Sequence, residues 1–240
     1  MNNTPYFSVV IPTFNCCEKL KVALESVFSQ TFNKFEIIVI DNSSTDGTSR
    51  LLNNTVDKRL SVYKVQNEGS IAYSRNVGIK NSKGKWVSFL DSDDVWLPTK
   101  LSDVYTIINN NVDAILVTHN VWTVVNGERI KKLKCLPSTN NIYENLLLKN
   151  NTIYTSAVTL RKDIADKTFG FSESQDFISA EDLEYWIRLS QVGKFYFLDK
   201  TLGEYCYYPS NISNNTSIRA NAYKHVRNYH LNMWIHNNSI

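Results

Sequence analysis

The sequence predicts an α/β fold with a mainly parallel central sheet flanked by helices. Short apolar segments alternate with segments in which apolar residues recur at helical spacing, and the connections are short. Acidic residues directly follow two of the apolar segments. Because such alternation implies right-handed crossovers, the carboxyl ends of the strands should meet at one edge of the sheet, where open α/β sheets bind ligands.

Four segments in the first part of the chain have the length and composition of strands. They cover residues 7–12, 35–40, 60–65 and 85–90. The first connection is expected to be a helix containing Leu20, Ala23, Leu24, Val27 and Phe28. A short helix is expected after 42–48, which is rich in turn and N-cap residues, and another after 67–70, in a segment that contains Arg75.

The rest of the chain predicts further elements without a clear domain boundary. Helices are expected after Pro98, over 142–148, from about Ala180, and finally over a segment with Ile218, Ala222, Val226, Tyr229 and Met233. Strands are expected over 113–118, 153–160, 195–198 and 202–208, with a hairpin around Asn126-Gly127. The sequence is therefore expected to form a single domain over residues 1–240.

Composition favours a globular protein over a membrane-spanning or nucleic-acid-binding one. Hydrophobic residues make up 42% of the 240 residues and charged residues 20%, while the net charge is only +3. The four cysteines form no CxxC pair, which argues against a zinc site or disulfide framework and favours a reducing cytoplasm. The N-terminus lacks a signal-peptide pattern, and no apolar run approaches the ~18 residues of a membrane span.

Three carboxylates end the fourth predicted strand. Asp91, Asp93 and Asp94 lie within four residues of one another. Crowded carboxylates cost folding free energy unless a cation or strong hydrogen-bond donors absorb their charge. Oxygen ligands suit hard divalent cations, so residues 91–94 are a candidate site for Mn²⁺ or Mg²⁺ and a phosphorylated ligand. The alternative is a loop whose acids cap the next helix.

A second acidic pair, Glu181 and Asp182, lies in the first turn of a predicted helix. Acids at that position complement the helix dipole, and Glu184 with Arg188 makes an ordinary i,i+4 pair, so one interpretation is structural. The other interpretation is a general base. Transfer of a glycosyl, phosphoryl or acyl group to a hydroxyl needs a carboxylate that takes up the proton.

Taken in order, these motifs resemble those of inverting glycosyltransferases of family 2, which have the nucleotide-sugar-binding GT-A fold. The similar segments are 8–15, 29–32, 35–41, 44–48, 67–69, 74–76 and 89–94, followed by Glu181, Asp182, Trp186 and Arg188. The ordered set spans roughly residues 7–208 and is more specific than any one motif. The resemblance implies a nucleotide-binding half over about 7–118, an acceptor half over about 119–208 and a C-terminal helix over about 216–236.

The resemblance also implies a role for each motif residue. The nucleotide sugar would be bound by Pro12, Thr13, Asn15, Asp41, Arg75, Asp91 and Ser92. Asp93 and Asp91 would hold a Mn²⁺ or Mg²⁺ ion that bridges the donor diphosphate, with Asp94 supporting them. Asp182 would be the general base, with Glu181 beside it at the acceptor pocket. The acceptor hydroxyl would displace the nucleotide in one in-line step that inverts the anomeric configuration.

Substrates and location follow from the same resemblance. UDP is the expected nucleotide, carrying a hexose or N-acetylhexosamine. The expected acceptor is a saccharide, in particular one on a polyprenyl diphosphate during assembly of a bacterial surface polysaccharide such as O-antigen or capsule. The basic and aromatic stretch 217–234 predicts either packing on the core or peripheral contact with the inner face of the plasma membrane.

Two sites depart from the family's pattern. Asn42 stands where the family often has a second acid after Asp41, and Cys206 and Tyr208 stand where many relatives have arginine and histidine. A late cationic contact to the diphosphate and a histidine metal ligand are therefore not evident. Two alternatives stay open: a nucleotidyltransferase, which would need a basic Gly-rich loop, and a non-catalytic protein that binds a sugar nucleotide or saccharide, which needs no base.

Overall fold

A computed structural model describes residues 4–135, 141–149, 151–208 and 216–238. The strands within these ranges are β1 (Phe7–Thr13), β2 (Phe35–Asp41), β3 (Leu60–Lys64), β4 (Trp86–Phe89), β5 (Val95–Trp96), β6 (Ala114–Val125), β7 (Glu128–Leu133), β8 (Thr159–Arg161) and β9 (Lys194–Tyr207). The α-helices are α1 (Cys17–Phe28), α2 (Thr48–Asn54), α3 (Ile71–Asn81), α4 (Lys100–Asn110), α5 (Ile142–Leu148), α6 (Lys162–Lys167), α7 (Glu181–Ser190) and α8 (Thr216–Asn238).

One sheet contains the strands in the order β3-β2-β1-β4-β8-β6-β9-β5, with β7 paired to β6. The first four strands pair in parallel, as predicted. β1 is buried along its whole length, which explains its continuous apolar sequence. Its register sets Thr13 opposite Asp41 and Val10 opposite Phe89. The carboxyl ends of β1, β2 and β4 therefore meet at one edge of the sheet.

The other half of the sheet has mixed pairing. β8 is antiparallel to both β4 and β6, whereas β9 is parallel to β6 and antiparallel to β5. The strand predicted over 113–118 continues through the first arm of the hairpin as β6, and the two late strands join as β9. The α/β class is confirmed, with the parallel pairing concentrated in the half that contains the acidic loop.

The strand predicted over 153–160 is wrong for most of its length. Its centre is a 3-10 turn at Thr155–Ala157, and a strand forms only over Thr159–Arg161. The physical reason is Ser156, whose hydroxyl and carbonyl both make hydrogen bonds with the loop and strand that follow β4. An extended segment would direct these two groups elsewhere. The short elements β5 and α6 were not predicted, because neither is long enough to show a period.

Helix α3 lies unusually close to β1. A Cβ atom built on Gly78 would lie 2.2 Å from the Val10 side chain, so only glycine permits this approach. The contact fixes the height of α3 above the sheet. It thereby fixes Arg75, one turn earlier on the same helix, relative to the carboxyl edge of the strands.

Helix α8 is confirmed, but its buried face differs from the predicted stripe. Ala222, Val226 and His230 are buried, whereas Tyr229 and Met233 are exposed. His230 Nε2 lies 3.6 Å from Glu184 Oε1 of α7, and both side chains are almost fully buried. This pair draws the histidine face inward. Within the described ranges, no helix has the length and apolar character needed to cross a bilayer.

Candidate active site

Asp94 fastens the acidic loop that follows β4. Its side chain is buried, its Oδ2 accepts a hydrogen bond from Ser156 Oγ at 2.5 Å, and its Oδ1 accepts one from the Cys206 N–H at 2.9 Å. Burial and the charges of Asp93 and Asp91 raise the pKa of Asp94 well above its usual range. Asp94 therefore ties the loop to the 3-10 turn and to β9, and Asp91 and Asp93 are the carboxylates that keep partial exposure.

Ser156 holds the same loop at a second point. Its Oγ accepts a hydrogen bond from the Asp91 N–H at 3.1 Å, and its carbonyl accepts one from Trp96 Nε1–H at 2.7 Å. One buried residue thus sets the positions of both ends of the Asp91 to Asp94 loop. Sequence reasoning missed it, because a serine within an apolar segment gave no signal of a role at the site.

Arg75 joins the two acidic motifs. Its Nη2 donates to Asp91 Oδ1 at 2.8 Å and its Nη1 donates to Glu181 Oε1 at 2.9 Å. Burial would lower the pKa of Arg75, but the Asp91 and Glu181 carboxylates outweigh that effect and raise it. The guanidinium is therefore a permanent cation, and it joins Asp91 to Glu181, which lies 106 residues after Arg75 in the chain.

Asp182 lies beside this bridge in the first turn of α7. Its Oδ2 accepts a hydrogen bond from Asn151 Nδ2 at 3.0 Å, and its Oδ1 accepts one from the Leu183 N–H at 2.7 Å. Burial and the neighbouring Glu181 charge raise the pKa of Asp182 to about 7, while Arg75 opposes the rise. A partly exposed carboxylate with a pKa near neutrality is well suited to take up a proton.

Asp41 ends β2 in a buried position on the opposite side of the edge. Its Oδ1 accepts a hydrogen bond from the Ser44 N–H at 3.0 Å, and Ser49 Oγ donates to its Oδ2 at 3.5 Å. The adjacent Asn42 accepts a hydrogen bond from the Asn67 N–H at 2.8 Å. Asn42, which departs from the family's pattern, therefore has a structural role, because it anchors the segment that leads into α3.

Pro12, Thr13 and Asn15 form the end of β1 and the loop that follows it. Pro12 and Thr13 are buried. Asn15 has a left-handed backbone (φ 46°), and its Oδ1 accepts a hydrogen bond from the Thr45 N–H at 2.7 Å. Asn15 thus links the loops after β1 and β2. The structure brings these three residues to the same edge as Asp41.

Among the described residues, several buried polar atoms have no hydrogen-bond partner, and three of them belong to residues predicted to bind a substrate. They are Thr13 Oγ1, Arg75 Nε and Glu181 Oε2. Native proteins rarely leave buried polar atoms unpaired, because each such atom has lost its hydrogen bonds to water. Their presence on three separate motifs indicates a site built to receive a polar ligand.

The acidic loop suits a metal ion whose ligands come partly from the protein and partly from a bound substrate. Within the described ranges, no group of three or more His, Cys, Asp or Glu side chains could enclose a metal ion. Mg²⁺ in nucleotide sites usually takes one or two carboxylates and completes its coordination with phosphate oxygens and water. Asp93 and Asp91 supply such a pair, and Ser92 between them interacts with the Cys16 side chain.

The late positions Cys206 and Tyr208 do not supply a cation or an imidazole. The Cys206 N–H binds Asp94, and Lys19 Nζ lies 3.4 Å from the centre of the Tyr208 ring. His230 is paired with Glu184 on the far side of α7. The structure therefore gives this histidine a role in packing α8, not in the acidic loop.

The i,i+4 pair of α7 has a further role that the sequence did not indicate. Arg188 binds Glu184 through two hydrogen bonds and also donates to the Gly170 carbonyl at 2.7 Å. The next residue, Phe171, lies under Arg75, with its ring centre 5.3 Å from the guanidinium carbon. Arg188 thus supports the residue on which the bridging arginine rests.

The fold and the site together define a glycosyltransferase of the GT-A fold. The model of "Glycosyl transferase family 2" matches residues 8–169. The chain belongs to this family and is a glycosyltransferase, as the ordered motifs predicted.

Two curated relatives illustrate the match. The chain is 31% identical over 190 residues to the UDP-Glc:alpha-D-GlcNAc-diphosphoundecaprenol beta-1,3-glucosyltransferase WfaP of Escherichia coli, which covers 78% of this chain and 70% of WfaP. It is 27% identical over 217 residues to the putative teichuronic acid biosynthesis glycosyltransferase TuaG of Bacillus subtilis, covering 89% of this chain and 84% of TuaG.

Among solved structures, the chain is similar to TarS 1-349 of S. aureus in complex with UDP. The TM-score is 0.69 and the identity 27%, over 85% of this chain and 61% of the TarS chain. The chain likewise spans 61% of an uncharacterized glycosyltransferase of Rickettsia prowazekii to which it is 28% identical. Several relatives are thus considerably longer than this chain.

Proposed function

We propose that the chain transfers a hexose or N-acetylhexosamine from UDP to a hydroxyl of a saccharide carried on a lipid diphosphate, with inversion at the anomeric carbon. One observation supports this function most strongly. Arg75 holds the Asp91 loop against the first turn of α7, so a carboxylate with a pKa of about 7 lies beside the acidic loop.

The donor is bound at the carboxyl edge of β1, β2 and β4. Asp41 and Thr13 accommodate the nucleoside, with Pro12 and Asn15 shaping the loop above it. Arg75, Asp91 and Ser92 lie toward the ribose and diphosphate. UDP as the nucleotide is supported by the UDP complex of TarS and by the UDP-Glc in the name of WfaP.

The transfer is a single displacement at the anomeric carbon. Asp182 takes the proton from the acceptor hydroxyl as its oxygen forms the new glycosidic bond, and the bond to the UDP oxygen breaks with its electron pair leaving on UDP. Arg75 affects this step through its charge, without contacting the reacting atoms. Its positive charge offsets the charges of Glu181 and Asp91, which would otherwise raise the pKa of Asp182 further and keep it protonated.

A Mn²⁺ or Mg²⁺ ion held by Asp93 and Asp91 would neutralise the charge that develops on the departing diphosphate. The partial exposure of both carboxylates, together with the buried Asp94 behind them, supports this assignment. Glu181 remains tied to Arg75 and shapes the acceptor side of the pocket.

The acceptor proposal places the protein in bacterial surface-polysaccharide biosynthesis, such as that of O-antigen or capsule. The acceptor in the name of WfaP is a diphosphoundecaprenol-linked sugar. The last turns of α8 expose Met233, Trp234 and Ile235, and such a surface suits peripheral contact with the inner face of the plasma membrane, where a lipid-linked acceptor would lie.

The test is transfer from a panel of nucleotide sugars to a short-chain lipid diphosphate sugar, with Mn²⁺ or with EDTA. The expected result is release of UDP and formation of a β-linked product from an α-linked UDP-sugar. EDTA should abolish this activity. Release of inorganic diphosphate from UTP instead would identify a nucleotidyltransferase. Tight UDP-sugar binding without transfer to any acceptor would favour the non-catalytic alternative.

A further inference from the structure

We propose that α8 completes an acceptor subsite, formed by the tyrosine shelf (Tyr154, Tyr205 and Tyr223) with Arg219 at its rim. The shelf binds the saccharide ring of the acceptor. Arg219 binds the diphosphate that is attached to the anomeric oxygen of that saccharide. This inference rests on the proposed function and names the residues that recognise its acceptor. α8 lies outside residues 8–169, which the family model matches.

One end of the subsite lies next to Asp182, the proposed general base. Asn151 donates a hydrogen bond to Asp182 Oδ2 at 3.0 Å, and its side chain also interacts with the Tyr223 hydroxyl. Tyr223 is therefore separated from the base by one amide group. Burial and the Asp182 charge raise the pKa of Tyr223, so its hydroxyl keeps its proton and remains available as a hydrogen-bond donor.

The other two rings of the shelf lie near the acidic loop. The rings of Tyr154 and Tyr205 lie 5.6 Å apart at 46°, and both residues keep part of their surface exposed. Tyr205 immediately precedes Cys206, whose N–H binds Asp94. A ligand resting on these rings would thus lie beside the acidic loop. Aromatic faces with a few polar groups beside them suit the apolar face and hydroxyl rim of a sugar ring.

Arg219 supplies positive charge at the rim of the shelf. It is exposed on the first turn of α8, four residues before Tyr223, so the two side chains lie on the same face of the helix. Its charge also lowers the pKa of Tyr154 and of Tyr223 against the larger effect of burial. A guanidinium can bind phosphate oxygens with two parallel hydrogen bonds. Its position beside the shelf suits an acceptor whose sugar carries a diphosphate.

Several contacts fix α8 in this position. Arg227 donates to the Lys149 carbonyl at the end of α5 and lies 6.0 Å from the Tyr223 ring. Val226 is fully buried, and His230 is paired with Glu184. The helix is therefore docked just after Tyr223, and this docking holds Tyr223 in place before the acceptor arrives.

The test compares two acceptors that differ only in the diphosphate: GlcNAc α-linked to a short alkyl diphosphate, and the matching alkyl glycoside. Arg219→Ala should raise KM for the diphosphate acceptor on the order of tenfold, as expected for loss of a charge-assisted contact, and leave KM for the glycoside and for UDP-sugar unchanged. Lys224→Ala is the matched control, because it removes an exposed cation from the same helix, and it should change neither value.

Tyr223→Leu should raise KM for both acceptors while the KM for UDP-sugar stays constant. Tyr223→Phe keeps the ring but not the hydroxyl, so it should recover only part of the loss. Equal KM values for wild type and Arg219→Ala with the diphosphate acceptor would overturn the subsite. So would an equal effect of Arg219→Ala on the two acceptors. If the wild type transferred to neither acceptor, the proposed function itself would fail. That result is distinct from the two outcomes that would overturn only the subsite.

Discussion

The proposed donor side and the proposed acceptor side of this site are built in different ways. On the donor side, the ends of parallel strands place Thr13, Asp41 and Asp91 at one edge, and pairing in the sheet fixes their spacing. On the acceptor side, Asp182, Asn151 and Tyr223 come from a helix start, a loop and the last helix. The first arrangement is set by backbone pairing, whereas the second depends on side-chain contacts between distant segments.

This difference suits the two substrates that we propose. A nucleotide diphosphate is the same in many transferases, so a rigid edge can serve them all. Acceptors differ, and a surface assembled from loops and a docked helix can change without disturbing the sheet. Arg75 is the link between the two sides, since its two ion pairs cross the boundary.

Asp182→Asn should have the largest effect on activity. Loss of a general base is expected to lower kcat by about 10³-fold, while the dissociation constant for UDP measured by calorimetry stays near the wild-type value. Asp163→Asn, at an exposed acid of α6, is the control and should leave both values unchanged. If Asp182→Asn abolished UDP binding but left turnover intact, the separation of donor side and acceptor side would be wrong.

Arg75→Ala should damage both sides at once. It leaves Asp91 and Glu181 without their buried cation, so the free energy of unfolding should fall by about 3–5 kcal/mol and both UDP affinity and turnover should drop. Arg75→Lys keeps the charge but has a single ammonium, which cannot reproduce the two-armed contact. Chemical denaturation and UDP titration measure these effects. A fully active, wild-type-stable Arg75→Ala variant would contradict the bridge.

Ser156→Ala should affect the donor side alone. Removal of the hydroxyl leaves Asp94 Oδ2 and the Asp91 N–H without their partner, so KM for the UDP-sugar should rise about tenfold. KM for the acceptor should remain unchanged, and Ser156→Thr should restore much of the donor affinity. Thr155→Ala is the matched control in the same turn. An equal rise in both KM values would mean that Ser156 supports the fold in general.

The smallest expected effect concerns stability and pH. The pKa of Asp182 is raised from 3.8 to about 7, so the folded state holds this proton more tightly than the unfolded chain does. Its destabilising contribution is absent below pH about 4, grows as pH rises to about 7, and is constant above that value. Asp182→Asn should therefore raise the melting temperature at pH 8 by a few degrees and leave it unchanged at pH 4.

The sequence predicted the strand edge far better than the contacts around Asp182, and for a physical reason. β1 and β2 are buried on both faces, so their apolar runs are visible in the sequence, and Asp41 and Asp91 mark their edge. The segment around Ser156 is mostly apolar and therefore looked like a strand. The hydroxyl of Ser156 instead binds the acidic loop. No local pattern reveals that Asn151 and Tyr223 meet at Asp182, since their contact is set by how α8 docks.

The pH dependence of transfer tests the central claim, which is that Asp182 is the base beside a rigid donor edge. Single-turnover rates with saturating UDP-sugar should rise about tenfold per pH unit below pH about 7 and level off above it, because only the ionised carboxylate accepts the proton. The same profile in Asp182→Asn should lose this rise and stay low throughout. A wild-type rate that is independent of pH between 5 and 8, with chemistry rate-limiting, would contradict the account.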